Sequence, residues 1–152
     1  MKTLGYVLIG FVSIVCLTGI VSSKAEASVY IGEYCWKAED ANGPILVIKL
    51  GVFDNGGGHY YLSGVNSFPT EGAVISVHGN AEWNGGNIIM TLNLSGMYSW
   101  GKSDGTSTMI LDSALNGSYF SLQHEYGYCQ GSAVEKHCLE YYHGIVTLVF
   151  CP

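Results

Sequence analysis

The chain has 152 residues, twelve acidic side chains against six lysines and no arginine, and a formal net charge of −6. A surface of that sign repels nucleic acid and anionic lipid, and without arginine it lacks the bidentate phosphate contacts that anchor such partners. An apolar fraction of 48% with scattered aromatics excludes a disordered chain.

The amino terminus opens with Lys2, runs uncharged over residues 4–21 and turns polar before Ala25 and Ala27. A basic start, an apolar stretch and a small-x-small site form a cleavable secretory signal, which places residues 1–27 in a signal peptide. An uncharged run of about 18 residues is also long enough to act as a membrane anchor, but the Ala-x-Ala site sits where a peptidase needs it. Cys16 follows the bulky Val15 and has no polar spacer after it, which does not suit a lipidation site. The expected product is residues 28–152, secreted or periplasmic, with no membrane span. It carries four lysines and eleven acidic residues, enough chain for one domain with a single core.

Period-two alternation broken by Gly, Asn and Asp recurs throughout this product, and helical periodicity is nearly absent. The expected strands, in order, are residues 29–37, 45–53, 59–65, 73–78, 87–95, 106–113, 118–125 and 145–151. Asp54-Asn-Gly-Gly-Gly58, Trp83-Asn-Gly-Gly86, Lys102-Ser-Asp-Gly105 and Leu115-Asn-Gly117 supply turns. A helical turn fits residues 133–140. Alternation predicts one core from Leu46, Ile48, Leu50, Leu62, Ile88, Met90, Leu92, Leu94, Met109, Leu111, Phe120, Leu122, Leu148 and Phe150.

Short connections favour antiparallel neighbours, and eight strands joined in order remove both exposed edges by closing into an up-and-down barrel. A β-sandwich is the alternative. Cys35, Cys129, Cys138 and Cys151 form two disulfides in an oxidising compartment, with three possible connectivities. Barrel closure selects Cys35–Cys151 across the first and last strands, leaving Cys129–Cys138 to close a local loop. Trp36 and Phe150 then point inward and both seam cysteines outward.

Gly32-Glu33-Tyr34-Cys35-Trp36 resembles the glycine-to-tryptophan opening of lipocalins, with a spacing wider by two residues. The strand rhythm is similar to the calycin barrels, lipocalins and avidins among them. The resemblance implies a fold, and fold does not set function.

No catalytic residues emerge. Ser63, Ser95 and Ser99 lack a Gly-x-Ser-x-Gly elbow, and the carboxylates are scattered. Neither a metal nor another cofactor is expected: no His-Glu-x-x-His occurs, and of Cys129, His137, Cys138 and His143 the cysteines favour disulfide over zinc. Aromatic rings with a polar tip suit a barrel rim or cavity, so Trp36, Tyr60, Tyr61, Trp83, Trp100, Tyr119 and His124 are the candidate ligand-binding residues. The expected function is binding of a small apolar or aromatic ligand in or at the mouth of the barrel, since eight strands leave room for little more than one small molecule. The alternative is a structural or inhibitory module with a solid core that meets another protein through its surface; a hydrolase is the least favoured reading.

Overall fold

Each alternating stretch of the sequence becomes a strand in the computed structural model, which describes residues 27–40, 45–68, 73–98, 101–128 and 135–151. In chain order they are β1 (Val29–Asp40), β2 (Leu46–Asp54), β3 (His59–Phe68), β4 (Ala73–Asn84), β5 (Asn87–Tyr98), β6 (Gly101–Leu111), β7 (Gly117–Tyr128) and β8 (Glu135–Val149). Every strand pairs antiparallel with the next, and β1 pairs with β8, so the sheet is a closed eight-stranded up-and-down barrel. No helix occurs among the described residues, and none is long and apolar enough to cross a membrane.

At the seam, Cys35 to Asp40 of β1 lie against Gly144 to Val149 of β8. The ladder stops at Cys35, and there the Cys35–Cys151 disulfide ties the two strands, with Cα atoms 5.1 Å apart. Cys138 is disulfide-bonded as well; Cys129, its expected partner, lies outside the described residues.

Close curvature requires strands to approach where no side chain intervenes. Gly64 of β3 and Gly79 of β4 both face the interior, and a Cβ at either would collide with backbone of the adjoining strand, at Lys49 and Thr91 respectively. Glycine inside a strand marks such approaches, and here it lets the sheet coil tightly enough to close.

The interior has two characters. Trp36, Leu50, Leu62, Ile75, Leu92, Met109 and Leu111 are among its fully buried apolar side chains. On β6 and β7 the inward face turns polar beyond Met109, Leu111 and Tyr119: Ser103, Ser107, Ser121, Gln123 and Glu125 are buried, as is Asn66 from β3. Most of these groups satisfy one another. Ser103 Oγ donates to Gln123 Oε1 (3.0 Å), Gln123 Nε2 to Ser121 Oγ (3.2 Å), and the Tyr142 hydroxyl to Glu125 Oε1 (3.0 Å), as burial of polar atoms demands.

This polar face corrects several expectations. Lys102-Ser-Asp-Gly105 is part of β6 rather than a turn, because Ser103 belongs to the interior layer. On β7 the facing is reversed: Phe120 is 51% exposed, Leu122 is only partly buried, and Tyr119 points inward. Pairing dictates this, since Tyr119 lies opposite Met109, whose side chain is in the core. β8 begins at Glu135, so residues 135–140 are strand rather than a helical turn, while 133 and 134 lie outside the described residues. Leu148 lies opposite Trp36 but is partly exposed, and Phe150 stands fully exposed beyond the strand end. The remaining core assignments hold, with Ile88 partly buried against the core.

Replacing the fully buried Leu92 with Ala is expected to cost about 2–5 kcal/mol, whereas Phe120→Ala, on the outer face, should cost less than about 1 kcal/mol. Urea denaturation of both variants checks this; equal losses would contradict the facing of β7.

Candidate functional site

The barrel end carrying the 54–59, 84–87 and 112–116 hairpins has an apolar opening. Its first wall comes from a β-bulge: Tyr30 pairs with Phe53 and Gly32 with Val52, leaving Ile31 as the extra residue. A bulge re-aims a side chain, and Ile31, 45% exposed, borders the opening. Three residues on, Tyr34 begins the inward period of β1 that Trp36 continues, with ring centroids 6.1 Å apart and planes 22° from parallel. Trp36 is almost fully buried, and its Nε1–H donates to the Leu115 carbonyl at 2.9 Å, fixing the indole beneath the β6–β7 hairpin.

Together with Tyr60, Leu62, Ile88 and Met90 these residues line a pocket of about 190 Å³. Apart from the two phenols and the indole, its lining side chains are hydrocarbon or thioether. Ligand pockets for drug-sized molecules run from about 300 to 1,000 Å³, while an apolar cavity of about 150 Å³ takes benzene. The mouth therefore matches a ligand of roughly one aromatic ring.

Deeper in the lumen the described side chains leave little space at one level. The void bordered by Asn66, Leu92, Ser107, Tyr119, Ser121 and Gln123 is about 10 Å³, near the limit for one water. Two polar atoms at this level, Asn66 Oδ1 and the Tyr119 hydroxyl, make no hydrogen bond of good geometry. Burial, with the Asp40 carboxylate beside it, pushes the Tyr119 phenol up to about 12.

The predicted ligand-binding residues thus separate. Trp36 and Tyr60 meet at the mouth. Tyr119 lies within the filled lumen. Trp83 stands at the mouth end, half exposed, its backbone N–H donating to the Gly58 carbonyl at 3.0 Å, and is not part of the pocket wall. Tyr61 is outside, in a ring cluster with Phe53 and Tyr30. His124 is also outside, 4.4 Å from the Tyr126 ring and 6.2 Å from that of His137. Trp100 lies outside the described residues.

Beside His124 on the exterior, Asp104 accepts a hydrogen bond from Ser95 and pairs with Lys102. The lysine first and the hydroxyl second hold its carboxyl below the usual range. His137 and Cys138, adjacent on β8, point to opposite faces, and no cluster able to hold a metal occurs among the described residues.

Ile31, Tyr34 and Leu115 escaped the sequence reading of the pocket. Ile31 is signalled only by the Gly32 that follows it, and Leu115 by nothing local, because its place depends on the left-handed conformation it takes in the β6–β7 turn.

No protein-family model, curated protein or solved structure matches the chain. The site must therefore be interpreted from its own geometry.

Because the folded state raises the Tyr119 pKa above the ordinary tyrosine value of about 10, it favours the protonated phenol. Its contribution to stability is complete below about pH 10 and is lost as pH rises from there towards 12. Denaturation midpoints followed across that range should fall less steeply in Tyr119→Phe than in the wild type; identical slopes would contradict the assignment.

Proposed function

We propose that the protein binds a small, uncharged apolar or aromatic ligand of about one ring at the mouth of the barrel. The observation that carries this reading is the contrast in space: an apolar pocket of about 190 Å³ at one end, against a lumen whose described void is about 10 Å³. Among the described residues, a ligand has room at the rim and almost none at the level of Tyr119. The polar groups deeper down, Ser103, Gln123, Ser121, Glu125 and Tyr142, are engaged with each other and serve to fill and fix the barrel rather than to receive a substrate.

The setting fits an exported binder. The amino-terminal signal pattern directs residues 28–152 out of the cytoplasm, to the periplasm or the medium, and the Cys35–Cys151 bond belongs in such an oxidising compartment. A surface-interaction module is the second reading. It is supported by the outer face of β7 and β8, where Phe120, Leu139, Tyr141 and Ile145 are all at least half exposed.

Calorimetric titration of the disulfide-intact protein with p-cresol should show saturable, submillimolar binding. Ile31→Asp, which puts a charge at the partly exposed rim, should weaken it by about tenfold, equivalent to ~1.4 kcal/mol, without lowering the melting temperature. Absence of p-cresol binding by the wild type, or equal binding by Ile31→Asp, would contradict the mouth as the site.

A further inference from the structure

The β6–β7 hairpin holds a residue in a conformation its side chain disfavours. Leu115 has φ 62°, and it is the sole non-glycine residue with positive φ among those described. The Leu115 N–H donates to the Asp112 carbonyl at 3.0 Å and the Asp112 N–H to the Asn116 carbonyl at 2.8 Å. This is a tight turn followed by one left-handed residue, a position normally given to glycine. A bulky side chain there is an outlier.

Asn116 and Gly117, the residue types suited to that position, follow at once, yet both are committed elsewhere. Asn116 Oδ1 accepts the Leu148 N–H at 2.9 Å, and its own N–H donates to Asp112 Oδ1 at 3.1 Å. Gly117 faces inward, where a Cβ would collide with the Ile110 carbonyl. The turn therefore cannot slide forward to put either residue in the left-handed position, and the strain falls on Leu115. This leucine's carbonyl receives the Trp36 indole N–H, and the residue borders the mouth pocket.

Strain persists where the surrounding structure over-determines it, and it gathers at ligand clamps. We propose that Leu115 is the specificity-determining residue of the mouth pocket, retained in its strained position because its side chain closes one wall and restricts the ligand to a single ring. A glycine or asparagine would suit the backbone better but would leave that wall open or make it polar. The inference rests on the mouth-binding reading above and adds the size limit and the residue that sets it.

The test compares p-cresol with the two-ring 1-naphthol by calorimetry, on wild type, Leu115→Gly and Leu115→Asn, each with thermal melts. The wild type should favour p-cresol. In Leu115→Gly, p-cresol affinity should fall at least fivefold while 1-naphthol affinity holds or rises, so that the preference inverts. Leu115→Asn should weaken both, and both variants should melt at or above the wild-type temperature as strain is released. If the wild type takes up neither phenol, the mouth reading is overturned and this inference with it. If p-cresol binds but the order of preference in folded Leu115→Gly is unchanged, this inference alone is overturned. Lower melting in both variants together with loss of all binding would show that Leu115 merely packs the barrel end, which also overturns it.

Discussion

Closure of the β1–β8 seam is the constraint from which the rest of this molecule follows. A sheet with β1 and β8 as free edges would present two rows of unpaired backbone groups, and its inward layers would have nothing to face. The seam is only partial: β1 continues from Cys35 back to Val29 with β2 as its paired neighbour, past the point where β8 stops. Three links gather where the ladder ends. The Cys35–Cys151 bond joins the strands covalently, the Trp36 indole reaches the Leu115 carbonyl, and Asn116 takes the Leu148 N–H. The disulfide spans 116 residues of sequence, and in the chain-entropy account a loop of that order contributes about 4–5 kcal/mol. The mouth pocket lies beside these links, so the features that shut the barrel also build its apolar opening.

On the proposed reading, function depends on what closure leaves empty. Inward glycines bring neighbouring strands into close contact, and the lumen fills with leucines, methionines, Trp36 and a hydrogen-bonded polar face. Among the described residues, an apolar pocket survives where β1 runs on without β8 and the bulge turns Ile31 towards the opening. A filled barrel with an apolar rim differs from a hollow one in a testable respect: on the proposed reading its ligand would be small and bound near the surface, with the hairpin carrying Leu115 setting its size.

The strand rhythm, closed meander and seam disulfide were legible in the sequence because alternation, turn chemistry and cysteine parity are local signals that agree. Trp36 and Tyr60, chosen for ring chemistry, do border the mouth pocket. β7 was misread because Phe120 and Leu122 look like a buried face, while Tyr119, Ser121, Gln123 and Glu125 become interior only through pairing with β6 and through mutual hydrogen bonds that no single strand reveals. His124, Tyr61 and Trp83 were chosen for ring chemistry alone, and ring chemistry does not say which side of a sheet a side chain occupies. Leu115 was hidden for another reason: the Asn-Gly pair advertises a turn centred one residue later, and only the commitments of Asn116 and Gly117 to β8 and β6 move the left-handed position onto leucine.

The most direct test of a filled barrel with a ligand-binding mouth is amide chemical-shift mapping of the isotope-labelled protein during titration with p-cresol. The account predicts perturbations at Ile31 to Trp36, at Tyr60 and Leu62, at Ile88 to Met90 and across the hairpin from Asp112 to Asn116, with Ser103, Gln123 and Glu125 unmoved. Shifts centred on those polar interior residues, or on the outer face at Phe120 and Tyr141, would contradict it.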